Sequence, residues 1–199
     1  MLTLALETST PRGGVALFRD GDLLFSESFT ADRSHSSGLF AVIERALRGG
    51  ARPDQIAVGL GPGSYAGVRI AIAAAIGLSV ATGAEMVGIP SIVTLDESEY
   101  LAVGDARRGG YWLARVRAGE LEEGPAILSR EELERRVTTA EIPVYTSESL
   151  NLARAELRFP EINRLALLAA ESRSIHSRGA LEPIYLRDPH ITQSSKRTG

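Results

Sequence analysis

Leu2-Thr3-Leu4-Ala5-Leu6-Glu7-Thr8-Ser9-Thr10-Pro11-Arg12-Gly13-Gly14-Val15-Ala16-Leu17-Phe18 sets the reading of everything that follows. Leu2, Leu4 and Leu6 alternate with Thr3 and Ala5, the period-two pattern of a strand with one strongly apolar face. Thr8 to Gly14 is a turn rich in hydroxyls and glycine, and Val15 to Phe18 resumes as a strand. Asp20-Gly21 is a hairpin signal, and Leu23 to Phe29 forms a third strand. Ser34 to Ser37 then offers N-caps for an amphipathic helix carrying Leu39, Val42, Ile43, Ala46 and Leu47, which Gly49-Gly50 stops. Ile56 to Leu60 reads as a buried parallel strand. Gly61-Pro62-Gly63 turns the chain, Ser64 caps a helix that continues to Thr82, and Gly83 ends it. Met86 to Ile89 is another strand, closed by Pro90, with a short helix after it from Ile92 to Glu99.

Three antiparallel strands feeding alternating helices and parallel strands is the order of a ribonuclease-H-like fold. The second half begins again in a similar way. Leu101-Ala102-Val103, Arg107-Arg108-Gly109-Gly110, Tyr111 to Val116 and Gly119-Glu120-Leu121 track Leu4-Ala5-Leu6, Arg12-Gly13-Gly14, Val15 to Phe18 and Gly21-Asp22-Leu23. A duplication explains this, and so does a chance likeness of two glycine hairpins. Ser129 to Glu132 has capping-box spacing, Ile142 to Tyr145 reads as a strand, and Asn151 to Arg173 as a helix interrupted at Pro160. The expected organisation is an α/β chain of two ribonuclease-H-like lobes. Residues 1–95 form the first and 96–190 a reduced second, with a linker near Pro90 to Glu99 and a disordered tail at 191–199.

Composition narrows the function classes. The chain has 199 residues, enough for one large domain or two small ones. With 22 basic and 25 acidic residues the net charge is −3, so no basic excess advertises nucleic acid as a direct partner. Cysteine is absent, which removes disulfides, thiolate catalysis and Cys-based metal sites. The N-terminus has no basic region and reaches Glu7 too early for a signal peptide. Ala66 to Ala81 is nearly apolar but contains Arg69 and falls short of the ~20 residues a membrane span needs. A cytoplasmic protein with no membrane contact is the expectation.

Four segments carry a family resemblance. They are Ala5-Leu6-Glu7-Thr8-Ser9-Thr10 with Gly13-Gly14-Val15-Ala16-Leu17, Gly59 to Ile70 with its Gly61-Pro62-Gly63-Ser64 loop, Asp105-Ala106-Arg107, and Pro183-Ile184-Tyr185-Leu186-Arg187. In this order they resemble the TsaB (YeaZ) family, a bacterial group that takes part in forming threonylcarbamoyladenosine in tRNA. The resemblance implies two lobes of the actin/heat-shock-chaperone/sugar-kinase architecture and a non-catalytic role beside the TsaD transferase, with the TsaE ATPase as third member. It implies no cofactor, and contact with tRNA only through the complex. It also implies pairing through the two helices of the first lobe, as a homodimer when alone.

Weighed residue by residue, the candidate sites divide as follows. Thr8, Ser9, Thr10 and Gly13, with Asp105 as counterpart in the second half, form a candidate anion- or nucleotide-binding set. The same residues also make a tight turn that needs glycine and small caps. Gly61-Pro62-Gly63-Ser64 opens a helix but lacks the lysine and spacing of a P-loop. His35, His176 and His190 are the only histidines and none pairs at helical spacing, so no metal site is expected. No Gly-x-Ser-x-Gly elbow is present, and no catalytic residue is assigned. The helix after Ser64 is apolar on more than one face. Because the resembling family pairs through these two helices, Leu39, Val42, Ile43, Ile70, Ile72, Ala73, Ile76 and Gly77 are assigned to a subunit interface, in preference to burial within the fold. The rival class is an active ATP-dependent phosphotransferase-like enzyme of the same fold.

Overall fold

The computed structural model describes residues 1–30 and 35–186. Strand β1 (Leu2–Glu7) pairs antiparallel with β2 (Arg12–Arg19), setting Leu6 opposite Val15 and Glu7 opposite Gly14. β3 (Asp22–Thr30) continues the meander along β2. After α1 (His35–Ala46) the chain enters the sheet on the other side of β1 as β4 (Gln55–Gly59), parallel to it. α2 (Tyr65–Thr82) then crosses to β5 (Glu85–Ile89), parallel to β4. The strand order is thus β5-β4-β1-β2-β3.

Every residue of β1 is buried, so its alternation separates two buried faces rather than inside from outside. Leu4, Leu6, Ile56 and Val58 face α1 and α2, packing with Leu39, Val68 and Ile72. The opposite face carries Ala5, Ala16 and Ala57. Those small side chains, and Gly14, where a Cβ would come within 3.0 Å of Ile162, let another helix lie close on the sheet.

The second sheet repeats the first. β6 (Tyr100–Asp105), β7 (Tyr111–Arg117) and β8 (Glu120–Leu128) form an antiparallel meander. α3 (Arg130–Thr139) leads to β9 (Val144–Thr146), parallel to β6, and then to β10 (Ala155–Leu157), parallel to β9. The order β10-β9-β6-β7-β8 repeats the β5-β4-β1-β2-β3 part of the first sheet. One element is missing: where α2 crosses in the first sheet, residues 147–154 make only a short non-helical connection.

The chain does not divide between the sheets in sequence order. α4 (Ile162–Ala170) lies between them, its Leu165, Ala166 and Ala169 meeting Ala5, Ala16 and Ala57 on one side and Tyr100 and Trp112 on the other. β11 (Ser177–Arg178) then pairs with the edge of β5, and the Ile184 N–H donates to the Leu60 carbonyl at 2.9 Å. Residues 162–186 therefore return to the first sheet, so a second lobe running from 96 to 190 is not confined to the second sheet.

Two expected helices also differ. The segment from Ile92 to Glu99 holds only a 3-10 turn, Ser91–Thr94, because the Asp96 carboxylate takes the Ser98 N–H and hydroxyl at 3.0 Å and so competes with a helix. Asn151 to Arg173 is β10 followed by α4, because Pro160 precedes the helix rather than interrupting it. Ser34 and residues 187–199, including the expected tail, lie outside the described residues.

Candidate docking surface and cleft

α2 is fixed by its ends. Ser64 Oγ accepts the Gly67 N–H at 3.2 Å as N-cap, and Gly83 ends the helix at φ +81°, its N–H reaching the Ser79 carbonyl at 2.8 Å. The helix start presses on the β1–β2 turn, the Ser64 N–H donating to the Ser9 carbonyl at 2.6 Å. A Cβ at Gly67 would lie 2.0 Å from the Thr8 carbonyl oxygen, and one at Gly63 2.2 Å from that of Ser9. Only glycine permits this approach.

One face of α2, including Val68, Ala71, Ile72 and Ala75, is buried against the first sheet. The outer face exposes Ala66, Ala73, Ile76, Gly77 and Val80, with Ile70 half-buried, and Val80 is 84 % exposed. α1 packs against α2 and exposes Phe40. By length and composition α2 could cross a membrane, but a third of it is buried within the protein. The interface assignment therefore splits. Leu39, Val42, Ile43 and Ile72 are core residues of this chain, each at most 7 % exposed, and they cannot line a surface. Ile70, Ala73, Ile76 and Gly77 lie on the open side.

The candidate anion site is largely used up by the fold itself. Thr8 Oγ1 donates to the Gly67 carbonyl at 2.7 Å, and Thr10 Oγ1 donates to the Arg12 carbonyl at 2.9 Å. Gly13 is there for space, since a Cβ would meet the Phe29 ring at 2.5 Å. The Thr8 and Ser9 carbonyls face the start of α2, where that of Ser9 accepts the Ser64 N–H. Of the three hydroxyls of the turn, that of Ser9 is buried without a partner. Asp105, at the end of β6 as Glu7 is at the end of β1, accepts from the Arg107 N–H at 2.6 Å, and its own N–H donates to Glu148 at 2.6 Å. A cleft of about 580 Å³ separates the two turns, lined by Ser9, Pro62, Tyr65, Asp105, Trp112 and Tyr185 among others.

Glu7 is 1 % exposed. Burial pushes its carboxyl above the usual carboxylate range, opposed by hydrogen bonds, among them the Ser9 N–H at 2.6 Å from Oε1. Its other oxygen has no partner and fills the space where a Cβ of Gly59 would stand, 1.9 Å away. Among the described residues, no group of three or more His, Asp or Glu side chains gathers to hold a metal. Sequence reasoning passed over a third feature, an exposed cluster of Tyr65, Arg69 and Tyr185 at the cleft mouth. The i,i+4 spacing of Tyr65 and Arg69 was a legible signal, whereas Tyr185 reaches the cluster only through the returning chain.

A family model described as tRNA N6-adenosine threonylcarbamoyltransferase (TsaD) matches residues 29–111. The Escherichia coli K12 protein named tRNA threonylcarbamoyladenosine biosynthesis protein TsaB is 30 % identical over 154 residues, which make up 69 % of this chain and 66 % of that protein. An uncharacterized protein of Mycobacterium tuberculosis H37Rv is 32 % identical over 133 residues, 62 % of this chain and 63 % of the relative. The chain thus spans just under two thirds of the length of these curated relatives. Among solved structures, YeaZ from Pseudomonas aeruginosa superposes with a TM-score of 0.69 at 25 % identity, covering 86 % of this chain and 91 % of that one. A Pseudomonas aeruginosa protein described as similar to peptidase YEAZ gives 0.73, also at 25 % identity, covering 94 % and 99 %. Two sheets of one strand order, the glycine-tight seat of α2 and these matches lead to one conclusion: the chain belongs to the TsaB/YeaZ family.

Proposed function

We propose that this chain is a non-catalytic partner subunit in the formation of threonylcarbamoyladenosine in tRNA, docking a TsaD-type transferase through the outer face of α2. The observation that carries the reading is that face: an apolar stripe through Ala66, Ala73, Ile76, Gly77 and Val80 on a helix whose other side is already packed. Contiguous apolar surface of this kind marks contact with another macromolecule. The name of the Escherichia coli relative supports the process, and the TsaD match supports kinship with the transferase. Three histidines without helical pairing, and the internal use of the Thr8 and Thr10 hydroxyls, weigh against a catalytic role and against the phosphotransferase alternative. On the same reading the protein works in the cytoplasm and pairs with itself when alone. It meets a TsaE-type ATPase and tRNA only within the complex. Its two sheets are the cores of two lobes, the second reduced.

Gly77 is the place to test this, because a Cβ there meets nothing within 4 Å. Gly77→Arg should fold as the parent does and fail to co-purify with a TsaD-type transferase. A Gly77→Arg variant that still co-purifies in full would overturn the α2 assignment.

A further inference from the structure

Arg69 is the only charged residue of α2, and it lies within the exposed apolar face. Its guanidinium stacks over the Tyr65 ring at 5.0 Å, and Nη1 donates to the Tyr65 hydroxyl at 2.5 Å. Tyr185 packs against Tyr65 as well, its ring centroid 5.7 Å from that of Tyr65 and tilted by 43°. Tyr185 is itself anchored, because the neighbouring Ile184 N–H is bonded to the Leu60 carbonyl and Leu181 is buried in the first core. Both tyrosines remain open, Tyr65 at 50 % and Tyr185 at 43 % exposure. Among the described residues no carboxylate pairs with Arg69, whereas Arg45, Arg115 and Arg178 all have one.

We infer that Arg69, held by Tyr65 and Tyr185, is the charged anchor of the α2 face and receives an aspartate or glutamate carboxylate from the partner subunit. The inference rests on the docking role proposed above and adds the chemistry of what docks. An apolar surface closing over α2 would strip water from Arg69, and a guanidinium left bare under such a surface is costly. Tyr65 takes up one of its five N–H donors, and a carboxylate fits the fork that remains. Stacking on Tyr65 fixes the fork before contact, so little side-chain freedom is lost on binding. Tyrosine and arginine are also the residue types that dominate binding energy at interfaces.

The test is the affinity of the purified full chain for a TsaD-type transferase, measured calorimetrically at low and high salt. The variants are Arg69→Gln, Arg69→Lys and Gly77→Arg. Arg69→Gln should melt with the parent yet bind on the order of 10- to 100-fold more weakly, and its affinity should respond less to salt. Arg69→Lys should recover only part of the loss, since it keeps the charge but not the fork. If Arg69→Gln binds like the parent while Gly77→Arg does not bind, the anchor is refuted and the docking face stands. If Gly77→Arg binds as tightly as the parent, the docking reading fails and the anchor with it.

Discussion

Ile72 and Ile76 stand one helical turn apart on α2, yet the structure assigns them opposite fates. Ile72 is 7 % exposed among Leu39, Val68 and Leu6, whereas Ile76 is 47 % exposed on the open side. Glutamate at position 72 would forfeit about 1.5–3 kcal/mol of apolar burial. It would also place an unpaired carboxyl in the core, adding roughly 1–3 kcal/mol even if it stays protonated. A total near 4 kcal/mol is a large part of the ~5–15 kcal/mol that holds a domain together. At ~2–4 °C per kcal/mol for a chain of this size, Ile72→Glu should lower Tm by about 8–16 °C. Ile76→Glu should stay within ~0.5 kcal/mol, or about 2 °C, of the parent. Circular dichroism melts measure both, and light scattering on the same samples reports self-association, which Ile76→Glu should abolish. Comparable melting of the two variants would refute the assignment of inner and outer faces.

The acid at the end of β1 gives a pH prediction. Because burial raises the folded-state pKa of Glu7, the folded protein holds this proton more tightly than the unfolded chain. The associated stability is full below the unfolded value of ~4.3 and is lost as pH rises through the folded pKa. Glu7→Gln, which mimics the neutral acid, should flatten that dependence, and urea melts across a pH series would show it. A Gln variant with the parent's pH profile would mean that Glu7 folds as an ion. Gly67→Ala sets two backbones against each other, a Cβ 2.0 Å from the Thr8 carbonyl oxygen, and should cost about 3 kcal/mol or more in denaturant unfolding. A near-neutral result would show that α2 can move off the β1–β2 turn.

What could be read in the sequence was what depends on neighbours along the chain. Leu2, Leu4 and Leu6 announce β1, and Ser64 and Gly83 bound α2 within a residue, because alternation and caps act locally. Which side of α2 faces inward was not legible, since a helix apolar all round carries no phase. Ile72 was assigned to a surface for that reason, whereas Leu39, Val42 and Ile43 belong to the buried stripe of α1. The three-residue β10 was lost to a helical reading because so short a strand has no period to detect. Nor could the return of residues 162–186 to the first sheet be seen, which is why Tyr185 came unannounced to Tyr65. The alanines at positions 5, 16 and 57 were the available clue, marking a sheet face shaped for another helix.

The repeated strand order explains why the apolar outer stripe of α2 is left uncovered among the described residues. Each sheet is served by a helix between its third and fourth strands, α1 in the first and α3 in the second. α3 turns Arg130, Glu131, Glu134 and Arg135 outward, and Arg130 is paired with Glu134 at 2.7 Å. Water satisfies that face, so α3 needs no cover. Between the fourth and fifth strands the second sheet has no counterpart to α2, only the connection through residues 147–154. Among the described residues α2 therefore has no twin that could pack over its outer stripe, and α4, the other apolar helix, is already spent between the sheets. A face of alanine, isoleucine, glycine and valine with one braced arginine has no intramolecular cover among the described residues. On the proposed docking role, the fold supplies the anchor and a partner subunit supplies the cover.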